Sequence, residues 1–226
     1  MKTKLQRIAH LLLVLVAAFS IFTGGLLLNA HPSYAWEYDS YHDPDNFDRN
    51  PDRTVQRASQ RGADLRGFIM EDLYWENEDL SGANLSGARL RKARLSGANL
   101  SGANLADSYL SGADLSYANL NRANLSGANL SDANLRGAQL NKANLKGANL
   151  KGAYTSSTNL SDADLSGADL KGANVSAGTD LSGANLSSAD LSGAKLLLTL
   201  YSRRTIFPDN FDPKDHKEPE LLLNEE

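Results

Sequence analysis

Residues able to do chemistry are few in this sequence of 226 residues. It contains no Cys, which excludes thiolate nucleophiles, thiolate metal ligands and disulfides. Beyond residue 35 only two imidazoles remain, His42 and His216. Ser is plentiful, but no His stands near one in a pattern that would activate it. Asp43-x-Asp45-x-x-Asp48 has a carboxylate spacing that invites calcium, yet it lacks the central Gly and distal Glu of an EF-hand loop, and a solvated loop is the simpler reading. No Gly-rich phosphate loop, zinc-ligand spacing or nucleophile elbow occurs. The strongest remaining feature would bind rather than react. Arg89, Arg91, Lys92 and Arg94 form the largest run of one charge. They suit an anionic partner surface, or an ordinary solvated face whose charges find acids nearby. The reading is of a non-enzyme with no cofactor and no metal.

The elements that position those cations are set by a repeat. From Leu80 to Leu150 a Leu falls on every fifth residue without a miss. Two residues before most of them stands Ala, and between the two comes mostly Asn or Asp, as in Ala83-Asn84-Leu85 and Ala98-Asn99-Leu100. A polar residue, often Ser, and then often Gly follow. On an α-helix a step of five advances about 500°, so the Leu residues would spiral around the surface. In an unbroken strand they would alternate between faces. A unit that turns the chain satisfies both limits. Ala-Asn-Leu forms a short extended trio with Ala and Leu on one side and Asn on the other, and the Ser-Gly pair suits a turn. Stacked units then make a solenoid with an interior of Leu and Ala.

This pattern resembles the pentapeptide-repeat proteins, whose motif centres on Leu or Phe, with Ala two before and Asn or Asp one before. The resemblance covers Ala63 to about Leu196. It implies an all-β fold, a right-handed quadrilateral β-helix with four pentapeptides per coil. Outward residues twenty apart then share a column, such as Arg122, Lys142 and Asp162, or Lys151 and Lys171, with Tyr109 one coil above Arg89.

Departures from the motif mark expected irregularities. The register begins at Ala63-Asp64-Leu65, then places Phe68, Met70, Leu73, Trp75 and Glu78 inward. An unpaired Glu in a dry core costs several kcal/mol, so Glu78 points to a distorted side or loop in the first coil. Ser108 and Thr158 replace Ala, and Thr155 replaces Leu. Between Val175 and Leu181 the chain holds one residue too many, which a bulge at a corner near Gly178 absorbs. Beyond Leu196, Tyr201 and Ile206 keep the spacing of five.

The flanks read as separate segments. Residues 1–35 carry Lys2, Lys4 and Arg7, an apolar run from Leu11 to Leu28, and Ser33-Tyr34-Ala35 before Trp36. These are the parts of a secretory signal peptide, with a Sec-type route indicated by the absence of an Arg pair and an uncleaved anchor as the alternative. Residues 36–62 form an N-terminal segment and cap, with Asn50-Pro51 starting a short helix that runs to about Arg61 and sets Arg53, Arg57 and Arg61 on one face. Residues 63–198 are the repeats. Residues 199–226 are a C-terminal cap and tail, in which Phe207 and Phe211 plug the open Leu core and Pro208 and Pro213 stop further pairing. The tail to Glu226 is charged except for Leu221-Leu222-Leu223.

Charge completes the reading. Removing the three N-terminal cations from the 23 Lys and Arg leaves 20 against 27 acids, a formal −7. A mildly acidic mature chain does not look like a nucleic-acid binder. The Phe-Pro and Phe-Asp-Pro ending, Phe207-Pro208 and Phe211-Asp212-Pro213, resembles that of cyanobacterial family members. With the signal segment it implies an exported scaffold in the thylakoid lumen or periplasm that contacts an unnamed protein partner. The membrane enters only through the N-terminal segment. The family also holds quinolone-resistance proteins that mimic DNA and bind gyrase. They act in the cytoplasm through strongly acidic faces, and the export signal and basic cluster argue against that class. A third class, ice binders, needs outward Thr arrays that are absent.

Overall fold

A computed structural model describes residues 61–213. The chain divides after Trp36 into two units, and the described residues lie in the second. Within them each five-residue unit is a short extended side followed by a two-residue turn, as the repeat predicts. Ala83 and Leu85 point inward and are essentially closed to solvent. Asn84, between them, makes parallel bridges to Asp64 and Asn104, twenty residues before and after. An offset of twenty is four units, so each coil has four sides. The first side runs through Asp64, Asn84, Asn104, Asn124 and Asn144. The second runs through Ile69, Arg89, Tyr109 and Asn129. The third holds Tyr74, Arg94, Asp114, Asn134 and Tyr154, and the fourth holds Asp79, Asn99, Asn119 and Gln139.

Hydrogen bonds explain why the unit has this grammar. The Leu85 N–H donates to the Asn104 carbonyl one coil on (2.7 Å), and the Asn104 N–H donates back to the Ala83 carbonyl (2.8 Å). Every side repeats this exchange, so the short sides are held by their neighbours rather than by their own length. The residue before Leu works inside the turn. Asn124 Oδ1 accepts the Ser126 N–H (3.2 Å), an Asx turn, while its Nδ2 donates to Asn104 Oδ1 one coil back (3.1 Å). Asn and Asp at this position are therefore turn formers and ladder members. The second turn residue has positive φ, as at Gly127 (65°), which favours Gly. Leu columns fill the interior, each side chain contributing about 1.5–3 kcal/mol by leaving water.

The first coil corrects three expectations. Glu78 does not break its side: its carbonyl accepts the Asn99 N–H (2.9 Å), and Asp79 beside it bridges Asn99. Glu78 is only half-buried, because it stands on the first described coil of its side, so its carboxylate is not forced into a dry core. Phe68 holds an inward position by register, yet it is 45% exposed, on the first described coil of its side. Arg61 is not helical. It lies in a repeat turn with Gly62, and its guanidinium meets Asp79 at 2.7 Å. The rest of the helix expected from Asn50, the segment 1–35 with its apolar run, and the tail from Lys214 lie outside the described residues.

The later coils absorb two extra residues. The bridge offset changes from 20 at Tyr154↔Asn174 to 21 at Asn159↔Asp180, and Ala177 and Gly178, both at positive φ, take up the first at a corner. The second was not legible from spacing. Asn185 bridges Ile206, so Ile206 is an outward residue, 53% exposed, and Phe207 takes the inward place. The turn Ser202–Arg204 holds the additional residue, closed by the Ser202 N–H to Thr205 Oγ1 (3.0 Å). Four Thr stand at Ala positions here. Thr158 donates its hydroxyl to the Leu135 carbonyl (2.7 Å) and Thr205 to the Leu181 carbonyl (2.9 Å), while Thr179 and Thr199 donate to the carbonyls of Thr155 and Val175. Each hydroxyl reaches the preceding coil. Among the described residues no buried side-chain polar atom lacks a partner.

At the C-terminal end the rings of Tyr201 and Phe207 meet edge to face (5.3 Å), and Phe207 stacks on Phe211 (5.4 Å). All three pack against the core, as the plug reading of Phe207 and Phe211 requires.

Candidate interaction surface

The four cations wrap one corner. Arg89 lies on the second side, Arg91 and Lys92 form the turn, and Arg94 lies on the third side. All four are exposed. Lys92 takes the second turn position with φ of 55°, a conformation most coils give to Gly. Neighbouring coils interleave acids. Arg89 pairs with Glu71 (3.0 Å), Asp72 precedes Lys92 by one coil at the same corner, and Asp114 follows Arg94 in its column. At this exposure the Arg89–Glu71 pair contributes at most about 1 kcal/mol. Arg94 does something further. Its Cζ lies 4.6 Å from the centroid of the Tyr74 ring, a cation–π contact that holds the guanidinium on the third side.

Sequence spacing alone did not bring the exposed tyrosines together. Tyr74 and Tyr154 share the third side, Tyr109 stands on the second above Arg89, and Tyr117 occupies the corner after the third side, next to Arg136 one coil on. Each is about half exposed or more, up to 62% for Tyr117. Tyr74 to Tyr154 spans four coil steps, about 19 Å. The first and fourth sides differ: from Asp64 to Asp164 and from Asp79 to Asp180 they present only Asn, Asp and Gln. The aromatic and cationic surface thus occupies two adjacent sides. At the offset of twenty, residues 74, 94 and 154 fall in one column, which the columns traced from sequence did not include.

Other charges resolve locally. Lys151 meets Asp169 (2.9 Å), and Arg204 meets Asp162 (3.3 Å) in the column of Arg122 and Lys142. The Ser81 hydroxyl and amide, together with Arg61, hold the Asp79 carboxyl down at about 2. A hydrogen bond from Arg66 likewise lowers Asp64, and hydrogen bonds from Ser192 lower Asp190. Among the described residues no group of three His, Asp or Glu converges to hold a metal ion. His42, His216 and the Asp43–Asp48 segment lie outside them.

Comparison with known families now adds to this geometry. The pentapeptide-repeat model matches in 8 copies, over residues 58–97, 79–116, 108–147, 143–176 and 177–196, more than half the chain. The chain is a pentapeptide-repeat protein. Membership supplies what the register of twenty leaves open, the right-handed sense of the β-helix, and members are in general structural or protein-binding. The chain is similar to solved pentapeptide-repeat structures. QnrB1, a plasmid-mediated fluoroquinolone resistance protein, is 21% identical over 65% of this chain and 86% of its own, with a TM-score of 0.42. A protein of the Arabidopsis thaliana thylakoid lumen is 32% identical over 47% and 71%, with a TM-score of 0.35. One from Nostoc PCC 7120 is 41% identical over 49% and 83%, with a TM-score of 0.19. No curated protein matches the chain.

Proposed function

We propose that this pentapeptide-repeat protein is an exported, non-catalytic scaffold that binds another protein in the thylakoid lumen or periplasm, through the second and third sides of its β-helix. The observation that carries the reading is the concentration of Arg89, Tyr109, Tyr74, Arg94 and Tyr154 on the second and third sides, with Arg91 and Lys92 at the corner between them and Tyr117 at the next corner. Tyr and Arg are the residues most enriched where protein surfaces bind, and a preorganised coil loses little conformational entropy on association. Inward positions are consumed by packing, so recognition falls to the outward columns. The compartment rests on the basic, apolar and small-residue order of residues 1–35.

The test is crosslinked pull-down from intact membranes, comparing the natural chain with one in which Arg89, Arg91, Lys92 and Arg94 are reversed to Glu. Reduced recovery of a partner at an unchanged melting temperature is the expected result. Unchanged recovery moves the contact elsewhere, and strong inhibition of gyrase by the protein supports the DNA-mimic class instead. Mass spectrometry of the natural protein should find Trp36 as the first residue, and a chain starting at Met1 would contradict cleavage after Ala35.

A further inference from the structure

Beyond the first coil, aliphatic side chains leave the interior at one level of the stack. From residue 81 to residue 195 no outward or turn position holds Leu, Ile, Val or Met. The last coil then presents four: Leu197 and Leu198 at the corner after the third side, Leu200 on the fourth side and Ile206 on the first, all between 43% and 53% exposed. Leu198 has φ of 59°, and among the described residues it is the one branched aliphatic side chain at positive φ. Nothing inside the fold rewards that placement, since the side chain is half exposed in a backbone conformation that favours Gly. A strained and exposed apolar group is explained by a contact outside the chain.

Three cations share this rim, and residues 191–208 contain no acid. Lys195 stands exposed on the third side, and Arg203 and Arg204 lie in the corner between Leu200 and Ile206. Arg204 reaches back over Gly183 to Asp162 (3.3 Å), an exposed pair that another anion can displace. Asp190 and Asp209 line a pocket on the second side, opposite Leu200. The four aliphatic side chains point in three directions, and a partner lying along the stack meets only one of them. They share one coil, however, so a surface approached end-on meets all of them at one depth. We propose that this C-terminal rim docks shallowly on an anionic lipid bilayer, with Leu197, Leu198, Leu200 and Ile206 at the acyl boundary and Lys195, Arg203 and Arg204 at the headgroup phosphates. Arg94 stands five rungs before Lys195 in the third column, so the rim and the arginine corner can be engaged together.

Because the chain has no Cys, single cysteines can carry the fluorophore nitrobenzoxadiazole at chosen positions: Leu200→Cys, Ile206→Cys and, as a mid-stack control on the fourth side, Asn119→Cys. Vesicles of equal phosphatidylglycerol and phosphatidylcholine added to the full chain should brighten the label about twofold at 200 and 206, with quenching by brominated acyl chains and no response at 119. The control shares any tether made by residues 1–35, so the contrast reads the rim. Arg203→Gln/Arg204→Gln, or vesicles of phosphatidylcholine alone, should weaken the response at 200. Leu197→Ser/Leu198→Gly should weaken it at 206 without lowering the melting temperature. No response at 200 and 206, an equal response at 119, or an equal response on phosphatidylcholine alone overturns the proposal. An apolar emission at 200 before vesicles are added, and unmoved by them, also overturns it. Dependence of that emission on protein concentration would assign the rim to a second copy of the chain, and independence would assign it to the chain's own residues.

Discussion

The ring of Tyr117 lies over Gly137, one coil further along the same corner: a Cβ at Gly137 would stand 2.6 Å from Tyr117 Cδ1. Both residues have positive φ, 58° and 69°. The Tyr117 ring therefore fills the space that a side chain at 137 would need. Gly102 has a comparable φ of 66° but open space where its Cβ would be. Gly102→Ala should cost about 1–2 kcal/mol for the left-handed backbone alone. Gly137→Ala should cost more, because the Tyr117 ring must move, and the excess should vanish in a Tyr117→Ala background. Chemical denaturation of the four variants measures that coupling, and equal losses at the two glycines in the natural background would refute it.

Leu125 and Ser126 are neighbours with opposite fates. Leu125 is fully buried, while Ser126 begins a turn and is only partly covered. Leu125→Asp places a carboxylate in the Leu column and should cost several kcal/mol. Ser126→Asp keeps the turn N–H bond to Asn124 Oδ1 and should shift the melting point little. Comparable melting losses in the two variants would reverse the inside–outside assignment.

Much of this fold is legible in sequence because each unit needs both an inward pair and a turn, and period five satisfies no simpler element. Ala83, Leu85 and Gly87 were readable for that reason. The closure of the coil was not, since four sides follow from corner geometry rather than from spacing within a unit. Ile206 was misplaced for a related reason: spacing of five still reached it, but the longer Ser202–Arg204 turn made Phe207 the inward residue. Glu78 was judged by its position in the unit, whereas its half-exposed state depends on which coil it occupies. The cations Arg89 to Arg94 stood out as a linear run. Their tyrosine neighbours did not, because a column joins residues twenty or more apart.

Asp79 provides a pH test at the first coil. Its carboxyl is held at about 2, below the ordinary 3.8, first by the Ser81 hydroxyl and then by Arg61 and the Ser81 amide. A depressed carboxyl contributes stability that is complete above the unfolded value and fades as pH falls from about 4 towards about 2. Carboxyl NMR should place the Asp79 midpoint near 2, and Ser81→Ala should raise it more than Arg61→Ala does. A midpoint near 3.8 in the natural protein would show that these contacts do not persist in solution.

The C-terminal ring stack makes the last prediction. Leu191 and Leu196 are the final Leu layer on the second and third sides, and both retain slight exposure even with the end present. Phe207 and Phe211 pack on that core and on each other, and Tyr201 meets Phe207 edge to face. Deleting residues 205–226 removes two of the three rings and the Ile206 rung. It frees the Leu186 N–H, which donates to the Ile206 carbonyl (2.7 Å), and takes the Thr205 hydroxyl from the Leu181 carbonyl, which keeps only the Ala184 N–H (2.9 Å). Apolar surface and unpaired strand edge would then coincide at one end, the combination that drives edge-to-edge pairing. Sedimentation velocity should show concentration-dependent association of the truncated chain together with a lower melting temperature. A smaller change separates packing from edge pairing: Phe207→Ala should lower the melting temperature, at a cost of about 3–5 kcal/mol if the ring packs as a full core residue and less at its partial burial, while the Ile206 rung keeps the chain monomeric. A truncated protein that stays monomeric and melts with the natural one would remove the capping role from this segment.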